Sequence, residues 1–456
     1  MKFYKSKYII SSGEKIFEDC ILVVQDGKVF DIVRNDKVSE NTEVTDFGNA
    51  VITPGFVNLH THLQYTDLKP VISCHCEGFS PKQSKGNWIA SSHSMNAPRN
   101  DDTKIDFSDW IISLMKQYFF WSESKKIKSF KNGLRETVLS GCTCIAQLSR
   151  EEYFIEILKN LDLKSFVFLE TFSNSEENSK KEIEKLKKQI KENSSNNVII
   201  GISPHSIYNV HKTLWEEIAK FSAEENILVH THLAESQDEI NWLNNKPSGI
   251  DKIHKLVKWD NMKPSEEGLN PVEYLEKLGF LKLCGENLTA AHCIELDEKS
   301  LEKLVNYDAG IAYCPRSNIL LHKKNLDYNK LPQSICENTG IGTDSRFSNY
   351  DLSILNEARW IKNSTGLDFK KLLDMLTINS ARILKIDDKT GSLEKGKDAD
   401  FLVFNLSPSV ILSKAKDLYQ DILNKEKPEE IYIKGTQIAK SGKFTAEQWK
   451  FLNEPQ

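Results

Sequence analysis

No uninterrupted apolar segment in these 456 residues approaches the ~18–20 residues that a membrane span requires. The opening MKFYKSKYII likewise has no apolar run of signal-peptide length followed by a small-residue cleavage site. Cationic excess is also missing. Lysine plus arginine number 60 against 65 aspartates plus glutamates, a net charge of −5, which excludes the basic footprint of a nucleic-acid binder. No Gly-x-Gly-x-x-Gly follows the first strand-like run, which weighs against a dinucleotide-binding fold. Cysteine is sparse and odd in number, nine in all, which suits reduced thiols in a cytoplasm better than a disulfide framework. The SCHC stretch (73–76) and the Cys142/Cys144 pair lack the two-residue spacing of common zinc knuckles and read as ordinary thiols.

What is present is an ordinary globular composition, 39% hydrophobic and 27% charged, enough for a sizeable core. The lysine-rich KKEIEKLKKQIKEN (180–193) has glutamates interleaved at helical spacing and reads as a solvated helix face. Near the amino terminus, ILVVQDGKVFDIV (21–33) has two apolar runs broken by Asp26-Gly27, a hairpin signal. Strand-like, glycine-punctuated texture returns in 391–407 and 429–443. Between these ends, β-rich bursts at 142–149, 165–172, 197–204, 227–235, 288–295, 309–315 and 339–345 alternate with helical stretches such as 214–226 and 299–308. Recurring βα units over this length predict an α/β protein: a closed (β/α)₈ barrel over 56–382, with a small β-sandwich side domain built from 1–55 and 383–456. The stretches near 70–105 and 241–275 lack strand character. They read as insertions at the catalytic face, suited to substrate selection.

Several bursts end in residues capable of metal or proton chemistry. His60 and His62 in FVNLHTHLQYTDL (56–68) share a strand face, because residues i and i+2 point the same way. His205 closes ISPHS, His292 closes LTAAH and Asp344 follows GIGT. In VHTHLAES (229–236) alternation cannot choose between His230 and His232. Position favours His232, which lies nearer the strand end and one helical-turn distance from Glu235, and leaves His230 as a support one layer deeper. Singly, each has a bland reading as a core histidine or a turn aspartate. In a barrel, however, all of them gather at the carboxyl rim, where active sites sit. Histidines with one carboxylate suit a catalytic divalent ion, zinc first and iron second.

The combination PGFVNLHTH (54–62), SPHSIY (203–208), HTHLAES (230–236), AAHCIEL (290–296), CPRSN (314–318) and GTDSRFSN (342–349) resembles the amidohydrolase superfamily. Its aminohydrolase branch, with the methylthioadenosine/adenosylhomocysteine deaminases, guanine deaminases and chlorohydrolases, is the nearest, and ARILKIDDKTGSLEKGKDADFLVF (381–404) completes the pattern. The resemblance implies one metal held by His60, His62, His232 and Asp344, with Glu235 transferring protons and His292 orienting and polarising the hydrolytic water. It places His205 against the substrate ring or sugar and suggests a homodimer. HTHLQYTDL, FSDWI (107–111) and VFLET (167–171) look like the aminofutalosine deaminase-like subgroup, whose substrate is an adenine nucleoside with a carboxybenzoyl group. Glu170 and Arg150 are then candidates for contacts to sugar and carboxylate, with Gln64 a further substrate-binding candidate. The expected activity is release of ammonia from a small amino-substituted heteroaromatic ring, without nucleic-acid or membrane partners. Same-site alternatives are guanine, cytosine or pterin deamination, dechlorination, or attack on a formimino or guanidino carbon. A base editor of the cytidine-deaminase type is disfavoured, because CPRS (314–317) has one cysteine where Pro-Cys-x-x-Cys needs two.

Overall fold

The structure is a computed structural model that describes residues 1–13, 15–69, 106–259, 262, 268–412 and 418–453. Both the SCHC stretch and the 70–105 insertion therefore lie outside the described residues. Among the described residues no helix is long and apolar enough to cross a membrane.

The chain opens with β1 (Lys2–Ser12), β2 (Lys15–Gln25), β3 (Lys28–Arg34), β4 (Thr45–Asp46) and β5 (Ala50–Pro54). Asp26 (φ 51°) and Gly27 (φ 78°) form the β2–β3 turn with two consecutive left-handed residues, the requirement of a type I′ hairpin that the Asp-Gly pair meets. Eight strands follow: β6 (Phe56–Thr61), β7 (Cys142–Ser149), β8 (Lys164–Thr171) and β9 (Val198–Pro204), then β10 (Val229–Leu233), β11 (Leu288–His292), β12 (Gly310–Tyr313) and β13 (Thr339–Ile341). They pair in parallel in chain order, and helices cover the outside. The barrel closes where the Thr343 and Asp344 N–H groups donate to the His60 carbonyl at 3.1 and 3.0 Å. This is a (β/α)₈ barrel, and the strands read as near-continuous apolar runs because both faces are covered.

The tail returns to the first sheet through β14 (Phe401–Asn405), β15 (Glu430–Ile433), β16 (Thr436–Lys440) and β17 (Lys443–Phe444). Both ends join in one continuous nine-stranded sheet, mostly antiparallel, in which β14 pairs with β5. Strand alternation gives this sheet two cores. Ile52, Phe401, Val403 and Tyr432 bury in its own cluster, whereas Val51, Leu402, Phe404 and Ile431 face the barrel's core. The junction is also tied by charge: barrel residue Lys164 reaches Asp398 at 2.7 Å and the fully buried Asp400 at 2.5 Å.

The helical readings hold with small shifts at their ends. The lysine-rich segment is the helix Glu176–Asn193, its lysines and glutamates paired along an exposed face. The 241–275 stretch, read as an insertion, contributes the helix Ile250–Val257 beside the pocket. Of its two tryptophans, Trp259 lines the pocket and Trp242 is buried against Tyr208.

Candidate active site

The carboxyl rim of the barrel gathers four buried imidazoles around one carboxylate. His60 and His62 stand at the end of β6 and share a face, as period-2 geometry requires. Ring nitrogens of His60, His62 and His232 lie within 4.8 Å of one another, and so do donors of His60, His292 and Asp344. Nε2 of His62 is 3.2 Å from Nε2 of His232, while Asp344 Oδ1 is 3.7 Å from His60 Nε2 and 3.9 Å from His62 Nε2.

Neighbouring groups set the tautomers and orientations. Nδ1–H of His232 donates to the His205 carbonyl at 3.0 Å, which leaves its Nε2 lone pair aimed at the cluster. Nδ1–H of His292 donates to Asn318 Oδ1 at 2.8 Å, so its Nε2 is likewise an acceptor. Asp344 Oδ2 accepts from the Ser317 and Ser348 hydroxyls at 2.6 and 2.9 Å, and Oδ1 accepts from the Ser345 N–H at 2.7 Å. Four rim residues hold left-handed backbone: Ala234 (φ 50°), His292 (φ 70°), Cys293 (φ 56°) and Asp344 (φ 57°). Such conformations cost about 1–3 kcal/mol each for residues other than glycine and concentrate at functional sites. Gly342 permits the closing approach, because a Cβ there would sit 2.7 Å from the Cβ of His60.

Burial pushes His60 well below the ordinary imidazole range and brings His62 down to about 3. Burial opposes ionisation of Asp344, yet the close approach of His60, 3.7 Å from Nε2 to Oδ1, and the neighbouring imidazoles hold it well below the usual carboxylate range. Glu235 is similar: burial raises it, but His292 and the hydrogen bond from His322 outweigh that and bring it to about 2. Neutral imidazoles around an ionised carboxylate form a donor set for a cation. Both nitrogens of His60, Nδ1 of His62 and Nε2 of His292 are buried without a hydrogen-bond partner. Leaving such groups unpaired costs about 1–3 kcal/mol each. A divalent cation held by His60, His62, His232 and Asp344 would give the unpartnered His60 Nε2 a partner and separate the lone pairs of His62 and His232 Nε2, 3.2 Å apart, so the residues fit one.

The other candidates fall in different places. Glu235 Oε1 lies 3.9 Å from His292 Nε2, beside the cluster. Its three-residue offset from His232 is not a helical turn, because the left-handed Ala234 turns the chain before the helix Gln237–Leu243 begins. His230 lies one layer deeper, with Nε2 against the Leu59 carbonyl at 3.2 Å and its ring 4.9 Å from that of His60. His205 Nδ1 accepts from the Asn209 amide at 3.0 Å, leaving Nε2–H free to donate. Glu170 is buried and pushed up to about 8 by that burial. Arg150 is exposed at the pocket wall, its guanidinium 4.8 Å over the Phe172 ring. Gln64 departs from its expected place. Its amide is spent inward, donating to the Leu148 carbonyl at 2.9 Å and accepting from Gln147 at 2.5 Å, and it does not line the pocket.

That pocket has a volume of about 810 Å³ and runs from His62, His232, Glu235 and Asp344 outward past Glu170 and Arg150. Its outer wall is apolar, formed largely by the helix Phe107–Phe119 through Phe107, Trp110 and Leu114. Several working residues carry no sequence-level assignment. Ser317 and Asn318 lie in the CPRSN motif and Ser348 in GTDSRFSN, where the motifs themselves were the signal. His322, 3.4 Å from Glu235 Oε1, sits in an unremarkable LLHKK run with no signal at all.

A parallel barrel with buried imidazoles and a carboxylate at the mouth of a deep pocket defines the class as a barrel hydrolase with a metal-competent centre. The chain belongs to the amidohydrolase family, whose model matches residues 51–438, and it is a hydrolase acting on carbon–nitrogen bonds. It is similar to the 5-methylthioadenosine/S-adenosylhomocysteine deaminase of Bacillus cytotoxicus, 25% identical over 462 residues, covering 96% of this chain and 94% of that protein. Among solved structures it resembles Helicobacter pylori aminofutalosine deaminase in complex with methylthio-coformycin (TM-score 0.78, 22% identity, 96% of this chain and 100% of that one). A Xanthomonas campestris adenosine deaminase with bound zinc also superposes (TM-score 0.75, 18% identity, 99% and 95% coverage).

Proposed function

We propose that this chain is a one-metal aminohydrolase that deaminates an adenine nucleoside carrying a large 5′ substituent, of the aminofutalosine or methylthioadenosine/adenosylhomocysteine kind. The single observation that carries the reading is the placement of Glu235, 3.9 Å from His292, beside the clustered donors of His60, His62 and His232, with Asp344 joining His60 and His292. The relatives' names and the free cysteines among the described residues support a small-molecule enzyme of the cytoplasm. The ion, zinc before iron, would supply Lewis acidity and bring a water's pKa toward neutrality.

This chain's residues would do the rest. His292 Nε2, a lone pair with its other nitrogen tied to Asn318, accepts a hydrogen bond from the attacking water. Glu235 takes the water's first proton and delivers it to the ring nitrogen next to the amino-bearing carbon. Asp344 takes the water's second proton and passes it to the departing ammonia. The bookkeeping is ring–NH₂ plus water giving ring carbonyl plus ammonia. His205 Nε2–H meets the ring or sugar, and Glu170 meets the ribose hydroxyls. Arg150, at the outer wall, faces the 5′ substituent and suits a carboxylate there.

The test is ammonia release from adenosine, methylthioadenosine, adenosylhomocysteine and a 5′-carboxyaryl adenine nucleoside, with guanine, cytosine and a pterin as controls. The expected result is turnover of 5′-extended adenine nucleosides well above the controls. Silence on every adenine nucleoside would overturn the reading, and turnover of a control alone would move the enzyme to the same-site alternatives.

A further inference from the structure

One short helix, Pro315–His322, touches each of the three groups assigned to proton chemistry. Ser317 Oγ donates to Asp344, Asn318 Oδ1 holds His292, and His322 Nε2 reaches Glu235 Oε1 at 3.4 Å. Asn318 and His322 are four residues apart, so they project from one face of the helix. The helix is anchored behind by Arg316, which pairs bidentately with Asp351 at 2.8 and 2.9 Å and meets the fully buried Glu357 at 3.3 Å.

We propose that His322 is the positioning residue for Glu235, linking that carboxylate to the apolar wall of the pocket. Its side chain is 8% exposed and does not line the pocket, so it stands behind Glu235. Its ring packs on Phe107, with centroids 4.9 Å apart. Phe107 stacks on Trp110, whose indole N–H donates to the Phe347 carbonyl at 3.4 Å. A substituent pressing on Phe107 and Trp110 would therefore load the ring that holds Glu235. A separation of 3.4 Å is long for a charge-assisted bond, and catalytic contacts of this length tighten when substrate fills the site. On that oxygen Glu235 also faces His292 Nε2 at 3.9 Å, and its backbone N–H is held by Glu239 at 3.1 Å. Without His322 the carboxylate keeps its backbone placement and loses its orientation.

The kinetic arm of this inference rests on the deaminase reading, so wild-type ammonia release is measured first. His322→Phe keeps a ring against Phe107 and removes the donor, while His322→Gln keeps an N–H at the Nε2 position. The expected result is a kcat loss of about 10-fold or more in His322→Phe, with KM and bound metal within about 2-fold, and recovery to within about 3-fold of wild type in His322→Gln. In a Glu235→Gln background, His322→Phe should cost nothing further. Equal losses in both variants, or a full second loss in that background, would overturn the proposal. If the wild type itself releases no ammonia, the deaminase reading fails and a crystal structure of His322→Phe still decides this one. A displaced Glu235 carboxylate supports it, and an unmoved one overturns it.

Discussion

Two buried carboxylates at the barrel rim are held in opposite states by their surroundings. Burial pushes both upward, but at Glu235 the neighbouring His292 and the hydrogen bond from His322 outweigh it and bring the group to about 2, whereas at Glu170 the Arg150 charge does not offset burial and the group rises to about 8. Glu235 is therefore an ionised acceptor in the free chain, able to take a proton during the reaction and return it. Glu235→Gln keeps the size and the Glu239 contact, which runs through the backbone N–H. Ammonia release should fall by about 10³-fold or more, as expected when an acid–base group is lost, while bound metal measured by elemental analysis stays near the wild-type level. Full activity in that variant would remove Glu235 from the chemistry. At the outer wall, Arg150→Met should raise KM for a carboxylate-bearing nucleoside by about 10-fold or more and leave methylthioadenosine nearly unchanged, since one charged hydrogen bond contributes about 1.5–3 kcal/mol. Equal effects on both substrates would place the 5′ group elsewhere.

Much of the rim is legible element by element, for a simple reason. A strand's period of two puts His60 and His62 on one face, and a barrel sends every strand end to the same rim, so spacing and topology suffice to gather the ligand candidates. Contacts made sideways across the fold are not written in any local pattern. His322 meets Glu235 because the helix after β12 packs against the loop after β10, and nothing in LLHKK announces it. Gln64 shows the converse: it follows the ligand motif closely, yet the turn after His62 sends its amide inward to Gln147 and Leu148. The joining of both termini in one sheet follows from β5 pairing with β14, a register that neither segment specifies alone. Strand closure itself can be tested at Gly342. A methyl group there would clash with His60 at 2.7 Å and Cys314 Sγ at 2.9 Å, so Gly342→Ala should shift His60. Metal affinity should then drop by about 10–100-fold, the usual cost of disturbing a ligand's support, read by competition with a chelating dye. Unchanged affinity would mean that β6 and β13 have slack at their closing edge.

At the scale of the whole molecule, the terminal sheet and the barrel share an apolar face and one charged joint. Lys164 is buried between Asp398 and Asp400, whose carboxylates hold its pKa above the ordinary lysine value despite burial. Lys164→Met leaves Asp400 buried without its cation, so thermal or urea unfolding should show a loss of about 3–5 kcal/mol. Asp398 gives the joint its pH dependence. Burial raises it, but Lys164 and Lys28 draw it below its ordinary value. A depressed carboxylate stabilises the fold above its unfolded pKa and loses that contribution as pH falls through the folded value. The wild type should therefore lose this contribution below about pH 4, and Lys164→Met should show a flatter acid limb. The metal centre is the feature on which the functional reading depends most. The decisive measurement is ammonia release from a 5′-extended adenine nucleoside while zinc is titrated back into chelator-stripped protein. Activity absent without metal and rising linearly to one ion per chain is the expected result. Full activity in the stripped chain, or a rise that continues to a second ion, would contradict a one-metal aminohydrolase.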